Sequence, residues 1–416
     1  MERVILISGA TGAAASSGSG LASAAGFFFA FRLFIMLLSV WLLGTDPQTG
    51  VALGLALNFA LLAVVAFVCL SDKKSSDNGL VRTRTVSWVI FFLGFTCLSL
   101  LWSGTASLAA AVLFWCSMAA DSAIVLLLLR VKSAEETAVG LAKGYVWGAC
   151  LIAVIAWLLP AQPDLRLGYA DLLGPNQIGY LCGFAFFFAQ YLVRNGRGAW
   201  TWPMVLLGIT LLRSLSKTTI VAMLVSQAFV LLQDHTITRR TKVLATLGAL
   251  LVVLVFWNLF ASYYDVYMNA GNQSESLTGR IGLWAIFVAE SIQHPWIGHG
   301  FHSVWKVIAP FGPEQFEARH AHNELLQQFY AYGVVGVVML VGIYGSFFRQ
   351  VRKMVRGPQR TFFLSLLLFV IVRGMADTEP FDYSLPVWAI LLFTMMVKST
   401  QNRLNSIEMR AARQAA

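Results

Sequence analysis

Apolar residues in this chain come in long runs separated by short polar connections. Crossing a bilayer takes about 20 apolar residues, slightly fewer where neighbouring helices bury the segment. Twelve stretches answer that description: 26–44, 50–70, 86–101, 107–129, 144–160, 175–193, 200–213, 217–233, 243–261, 323–348, 361–376 and 384–398. The seventh and eighth are short and meet at a tight Arg213–Lys217 corner. The pattern predicts an all-α integral membrane protein of about twelve transmembrane helices. No duplicated half is visible, which counts against a transporter built from repeats.

Composition agrees: 58% of residues are hydrophobic and only 12% charged, against about 25% charged in a soluble domain. The net charge of +10 falls in small clusters between apolar runs, so nucleic acid is not the expected partner. With the N-terminus placed in the cytoplasm and the spans alternating, 22 of the 30 Lys and Arg residues face inside. That asymmetry predicts both termini cytoplasmic. Residues 1–25 then form an N-terminal tail ahead of a retained first helix, 26–261 carry spans one to nine, 262–322 form one large outer loop, 323–398 carry the last three spans, and 399–416 are a cytoplasmic tail. The five cysteines lie in or beside apolar runs with no CxxC pair, so neither disulfide framework nor metal knuckle is expected.

The exceptions to the charge rule carry the chemistry. Arg166, Arg213, Lys217, Arg280, Lys306, Arg319 and Arg373 are left on the outer face. If they converge they make a cationic pocket at that interface, although long side chains at helix ends also snorkel there at little cost. The outer loop is about sixty residues long, and loops beyond about 15 residues are commonly functional. Within it, Ile281, Trp284, Ala285, Val288 and Ile292 recur at helical spacing. They predict an amphipathic helix lying in the interface or packing across the bundle. Ser276–Arg280 reads as its entry, where free backbone N–H groups and Arg280 would make an anion site.

Five of the six histidines fall within 29 residues of this loop: His294, His299, His302, His320 and His322. Their spacing is poor for a metal, with no HExxH and no interleaved acids. One general-base histidine is more economical. His294, His299 and His302 are expected to be polar packing. His322 differs, because it stands where the loop gives way to the tenth span. Asn323 beside it is a natural helix cap and a candidate to hold the imidazole. His320 is a further candidate there. Asp377 and Glu379, with Asp382, form an acidic outer loop next to Arg373. They are candidates to orient His322 or to bind substrate hydroxyls.

His322-Asn323, nine residues, then Gly333-Val334-Val335-Gly336 reproduces a pattern associated with bacterial O-antigen ligases. Thr278–Trp284 resembles the Gly-Arg…Trp segment of the wider O-antigen ligase/polymerase superfamily. His294–Phe301 is similar to its Pro-x-x-Gly-x-Gly stretch, and Ser216-Lys217-Thr218 stands at its Ser-basic corner. The order of motifs and the single large loop agree along the whole chain. The resemblance implies a fold like that of the membrane glycosyltransferases of the C type, in a Gram-negative inner membrane. It implies transfer of a glycan from undecaprenyl diphosphate to lipid A–core oligosaccharide at the periplasmic face, among membrane lipids, without cofactor or metal. His322 would take the proton of the acceptor hydroxyl and Arg280 would grip the leaving diphosphate. Lys217, Arg213, Arg319 and Arg373 would support the donor.

Two rivals stay within the superfamily, an O-antigen polymerase and a protein O-oligosaccharyltransferase. A transporter or flippase would place ionisable residues in mid-membrane, where only Asp121 and Arg32 stand. A structural scaffold leaves the outer cations unexplained.

Overall fold

The computed structural model describes residues 17–71, 83–131, 133–162, 164–169, 172–258, 261–262, 277–305, 307–308 and 318–415. Thirteen α-helices make up the described framework: α1 (Ser17–Leu43), α2 (Pro47–Ser71), α3 (Arg84–Ser99), α4 (Leu108–Val131), α5 (Ala134–Leu158), α6 (Pro175–Arg194), α7 (Thr201–Arg213), α8 (Lys217–Gln233), α9 (Arg239–Val255), α10 (Leu277–Gln293), α11 (Glu324–Arg352), α12 (Pro358–Gly374) and α13 (Val387–Ala415). Each of the twelve apolar stretches falls, where described, on a helix, and α10 lies in the long connection between α9 and α11. Among the described residues five helices are long and apolar enough to cross a membrane: α1, α2, α4, α5 and α11. Shorter apolar helices run over Arg84–Ser99, Lys217–Gln233 and Val387–Gln401. Together they make a multi-pass membrane protein.

Packing follows from small residues and rings. The most extensive contact joins α1 to α5. A Cβ on Gly144 would overlap the Ser23 carbonyl and one on Gly26 the Leu141 carbonyl, so the two backbones meet directly, as small residues allow between membrane helices. Around this pair Phe188 stacks on Trp388 and Phe393, with ring centroids 6.2 and 5.5 Å apart. A partly buried charge pair lies in this region. Arg32 of α1 meets Asp121 of α4 at 2.6 Å, and Asn58 of α2 donates to the other Asp121 oxygen at 2.9 Å.

Two features position the site. First, α11 is interrupted at Gly333 (φ 60°, ψ −151°), a conformation essentially reserved for glycine. The segment 295–300 docks into the break. Val334 donates to the Pro295 carbonyl at 2.8 Å, His299 to that of Tyr330 at 3.0 Å and Gly300 to that of Ala331 at 2.8 Å. The backbone groups freed by the interruption are thus satisfied by the loop. A Cβ on Gly298 would lie 2.4 Å from the Ala331 backbone, and one on Gly333 2.4 Å from that of Trp296. The two glycine-bearing motifs of the sequence are halves of one joint.

Second, α10 packs through a face other than the one its periodicity suggested. Leu283 and Phe287 are buried with Val304, Ile308, Ala318, Ala321 and Tyr330. Ile281, Val288 and Ile292 are 57%, 44% and 64% exposed. The helix is apolar on two sides, one inward to α11 and one outward, and the expected stripe is the outward one. Ser276 and Lys306 lie outside the described residues.

Candidate active site

The chain on either side of His322 is held from three directions. Ala321 is fully buried; its N–H donates to Gln327 Oε1 at 2.8 Å and its carbonyl accepts from Trp284 Nε1 at 3.0 Å. Asn323 caps α11, its side-chain oxygen accepting from the Leu326 N–H at 3.0 Å. Its amide also donates to the Met375 carbonyl at 2.9 Å. Between these anchors His322 adopts φ 51°, a left-handed conformation that costs about 1–2 kcal/mol in a residue with a Cβ. The surrounding contacts impose it.

His322 therefore faces the turn after α12. Its Nδ1 lies 3.3 Å from Asp377 Oδ1, and His320 Nε2 lies 3.4 Å from the same oxygen. The other oxygen of Asp377 accepts from Arg373 at 3.2 Å, and Arg373 also donates to Glu379 at 2.9 Å. Burial opposes the ionisation of Asp377, but the Arg373 guanidinium and the two imidazoles outweigh it and hold the carboxyl well below the usual range. Burial pushes the His320 imidazole down, and the neighbouring His322 adds to that shift against the pull of Asp377. The Nδ1 edge of His322 therefore faces the carboxylate, and Nε2 lies on the far side of the ring.

Arg280, in the first turns of α10, reaches the same turn from another side. Its Nη1 donates to the Ala376 carbonyl at 2.5 Å and lies 3.5 Å from Thr218 Oγ1, at the start of α8 beside Lys217. The Nε of Arg280 is buried with no protein acceptor, as are Nε and Nη1 of Arg373. Guanidinium N–H groups left unpaired in this way suit an oxyanion. Arg373 in turn rests on the ring of Tyr180, 4.2 Å from its centroid. A cavity of about 410 Å³ opens here, walled by Tyr180, Glu379, Phe381 and Trp388 and reaching the Arg32–Asp121 pair.

His320, His322, Asn323, Arg373, Asp377, Glu379 and Arg280 are thus gathered around one turn, with Lys217 adjacent. Arg213 is not among them, because its guanidinium donates to the Leu165 carbonyl at 2.7 Å. Arg319 is exposed at the edge, next to His320. Asp382 separates from the other two acids and caps the start of α13 through the Tyr383 and Val387 N–H groups. The remaining histidines pack against rings: His302 stacks on Phe381 at 4.8 Å and meets Thr105 through Nδ1, and His299 stacks on Tyr330 at 4.5 Å. Sequence reasoning missed Tyr180 and the Ala376 carbonyl, neither of which carries a charge or a spacing that would mark it, and named Thr218 only as the neighbour of Lys217 in its motif.

His320, His322 and Asp377 offer three ligand atoms within 4.8 Å of one another. Yet one oxygen of that carboxylate is held by Arg373, whose fixed positive charge sits where a metal ion would raise the local charge further. The donor set suits a hydrogen-bonded base better than a cation.

Residues 202–341 match the protein family described as O-antigen ligase. Over 322 residues the chain is 22% identical to the exopolysaccharide production protein ExoQ of Rhizobium meliloti, covering 70% of this chain and 72% of that one. Over 250 residues it is 25% identical to an O-antigen ligase of Pseudomonas aeruginosa, covering 58% of this chain and 59% of that one, less than two thirds of the relative's length.

Proposed function

We propose that this chain, which belongs to the O-antigen ligase superfamily, moves a glycan from undecaprenyl diphosphate to lipid A–core oligosaccharide at the outer surface of the inner membrane. Superfamily membership supports a ligase- or polymerase-type activity on lipid-linked polysaccharide. The donor, the acceptor and the residues below are the proposal. So is the division into a catalytic loop (262–322) between helix-bearing segments 26–261 and 323–398, with tails at 1–25 and 399–416.

One observation carries the reading. A single turn, Met375–Glu379, presents the carboxylate that meets His322 and the carbonyl that receives Arg280. A base and a cation are thereby fixed to one short piece of backbone. In the proposed step His322 Nε2 takes the proton of an acceptor hydroxyl while that oxygen bonds to the anomeric carbon. The bond from that carbon to the diphosphate oxygen breaks, and its electron pair leaves with the diphosphate. One displacement inverts the anomeric centre. The leaving group is already a stable anion and needs no general acid. Arg280 supplies the charge it requires, with Lys217 nearby and Arg319 at the rim. Arg373 acts through Asp377, neutralising it and fixing its direction. The cavity beside Glu379, with aromatic walls, suits sugar rings.

Reconstitution of the purified chain with lipid-diphosphate glycan and lipid A–core tests this. A whole glycan added to lipid A–core in one step is the expected product. A second reading within the superfamily, polymerisation on the carrier, would lengthen only the carrier-linked chain.

A further inference from the structure

A second polar feature, outside this site, lies at the other end of the bundle. From Pro358 to Gly374, α12 runs 17 residues, or about 24 Å, so its first turn lies toward the membrane surface opposite the Arg373 end. There a groove of about 950 Å³ opens between α8, α11 and α12. Arg352, Arg356 and Arg360 stand at its mouth. Below them Leu364, Leu368 and Ile371 line it at four- and three-residue spacing along α12, facing Phe229 of α8. From Arg360 to Ile371 the helix descends about 16 Å, close to the roughly 15 Å of hydrocarbon in one leaflet.

We propose that this groove holds an anionic phospholipid, with the phosphate among the three arginines and an acyl chain against Leu364, Leu368 and Ile371. Clusters of cations at this membrane surface follow from topology alone; a cationic mouth above an apolar slot one leaflet deep does not. The charge at the mouth is uncancelled among the described residues. The acid lining the groove, Asp234, is already paired with Arg194 at 2.9 Å and accepts the Thr236 hydroxyl at 2.6 Å. Two of the arginines are held by the protein: Arg352 lies over the Phe348 ring at 5.7 Å, and Arg360 donates to the Met354 carbonyl at 3.4 Å. Held guanidinium groups match a phosphodiester better than mobile ammonium groups do, and basic pockets between membrane helices recognise anionic headgroups in this way. A zwitterionic lipid would bring its own cation against three others. The proposal is independent of the transfer reaction.

The test uses the full-length chain in nanodiscs of phosphatidylcholine mixed with phosphatidylglycerol, released into detergent and read by native mass spectrometry. The wild type should retain phosphatidylglycerol over phosphatidylcholine by about tenfold or more. Arg356→Gln combined with Arg360→Gln should erase that preference. Leu368→Trp, which fills the slot and keeps every arginine, should lose the retained lipid as well. Leu368→Phe gives a smaller obstruction if the tryptophan variant does not purify as a monodisperse species. Inorganic phosphate should fail to displace the lipid. Equal retention of the two lipids by the wild type overturns the proposal. So does wild-type retention in a monodisperse Leu368 variant, or displacement by phosphate alone.

Discussion

His322 Nδ1 stands 3.3 Å from Asp377 Oδ1, and the other oxygen of that carboxylate is held by Arg373. The imidazole is oriented by a residue that is itself oriented. Asp377→Asn preserves the shape and removes the charge, so the tautomer is no longer imposed and Arg373 keeps only Glu379. Single-turnover transfer should fall by about 100-fold or more, with membrane insertion intact. Wild-type rates would exclude the orienting role.

His322→Ala and Arg280→Ala should each abolish detectable transfer. Arg280→Lys should restore little, since an ammonium cannot reach Ala376 and an oxyanion in the same planar fork. Arg213→Ala is the contrasting variant. Its partner is the Leu165 carbonyl, so transfer should stay within a few-fold of the wild type; a loss matching Arg280→Ala would put Arg213 back at the diphosphate.

Gly333→Ala tests the joint between α11 and the outer loop. The added methyl meets the Trp296 carbonyl carbon and must occupy a backbone region closed to it, costing about 1–3 kcal/mol before any clash. A clear drop in thermal midpoint in detergent is expected. An unchanged midpoint would mean that 295–300 does not dock into the break.

The buried imidazoles set a pH dependence. Burial pushes His302 and His320 below their ordinary value of 6.5. The unfolded chain therefore binds protons near pH 6.5 that the folded chain refuses, and stability falls as pH drops below about 6.5. Above that value these two groups contribute no slope. Thermal midpoints between pH 5 and 8 should show the acid-side loss (about this window, from the linkage relation), and His320→Gln should flatten it. A steeper acid-side loss in that variant would contradict the assignment.

Chelation addresses the His320–His322–Asp377 cluster. Because Arg373 already neutralises the shared carboxylate, prolonged treatment with EDTA should leave transfer unchanged. Inactivation reversed by one added divalent ion would replace the hydrogen-bonded base with a metal-held site.

The helices were legible because lipid demands long apolar runs, and a run is visible without knowledge of its neighbours. The approach of Arg373 and Asp377 was legible for a local reason, since they stand four residues apart at a helix end. Their tie to His322 was legible only as one of two alternatives, because His322 and Asp377 stand 55 residues apart. Periodicity chose Ile281, Val288 and Ile292 over Leu283 and Phe287 because α10 is apolar on both sides, and hydropathy cannot tell lipid from protein as the solvent. Arg213 looked equivalent to Arg280 on charge and position alone. Only the Leu165 carbonyl separates them.

The pairing of Arg32 with Asp121 has a consequence for biogenesis. The partners are 89 residues apart in the chain, so at about 5–20 residues per second the ribosome delivers the acid about 4–18 s after the base. Through that interval α1 carries an unneutralised guanidinium, whose insertion at mid-bilayer costs about 2.5–3.5 kcal/mol. α1 is apolar enough to cross on its own, but its one internal charge is neutralised only once α4 has been made.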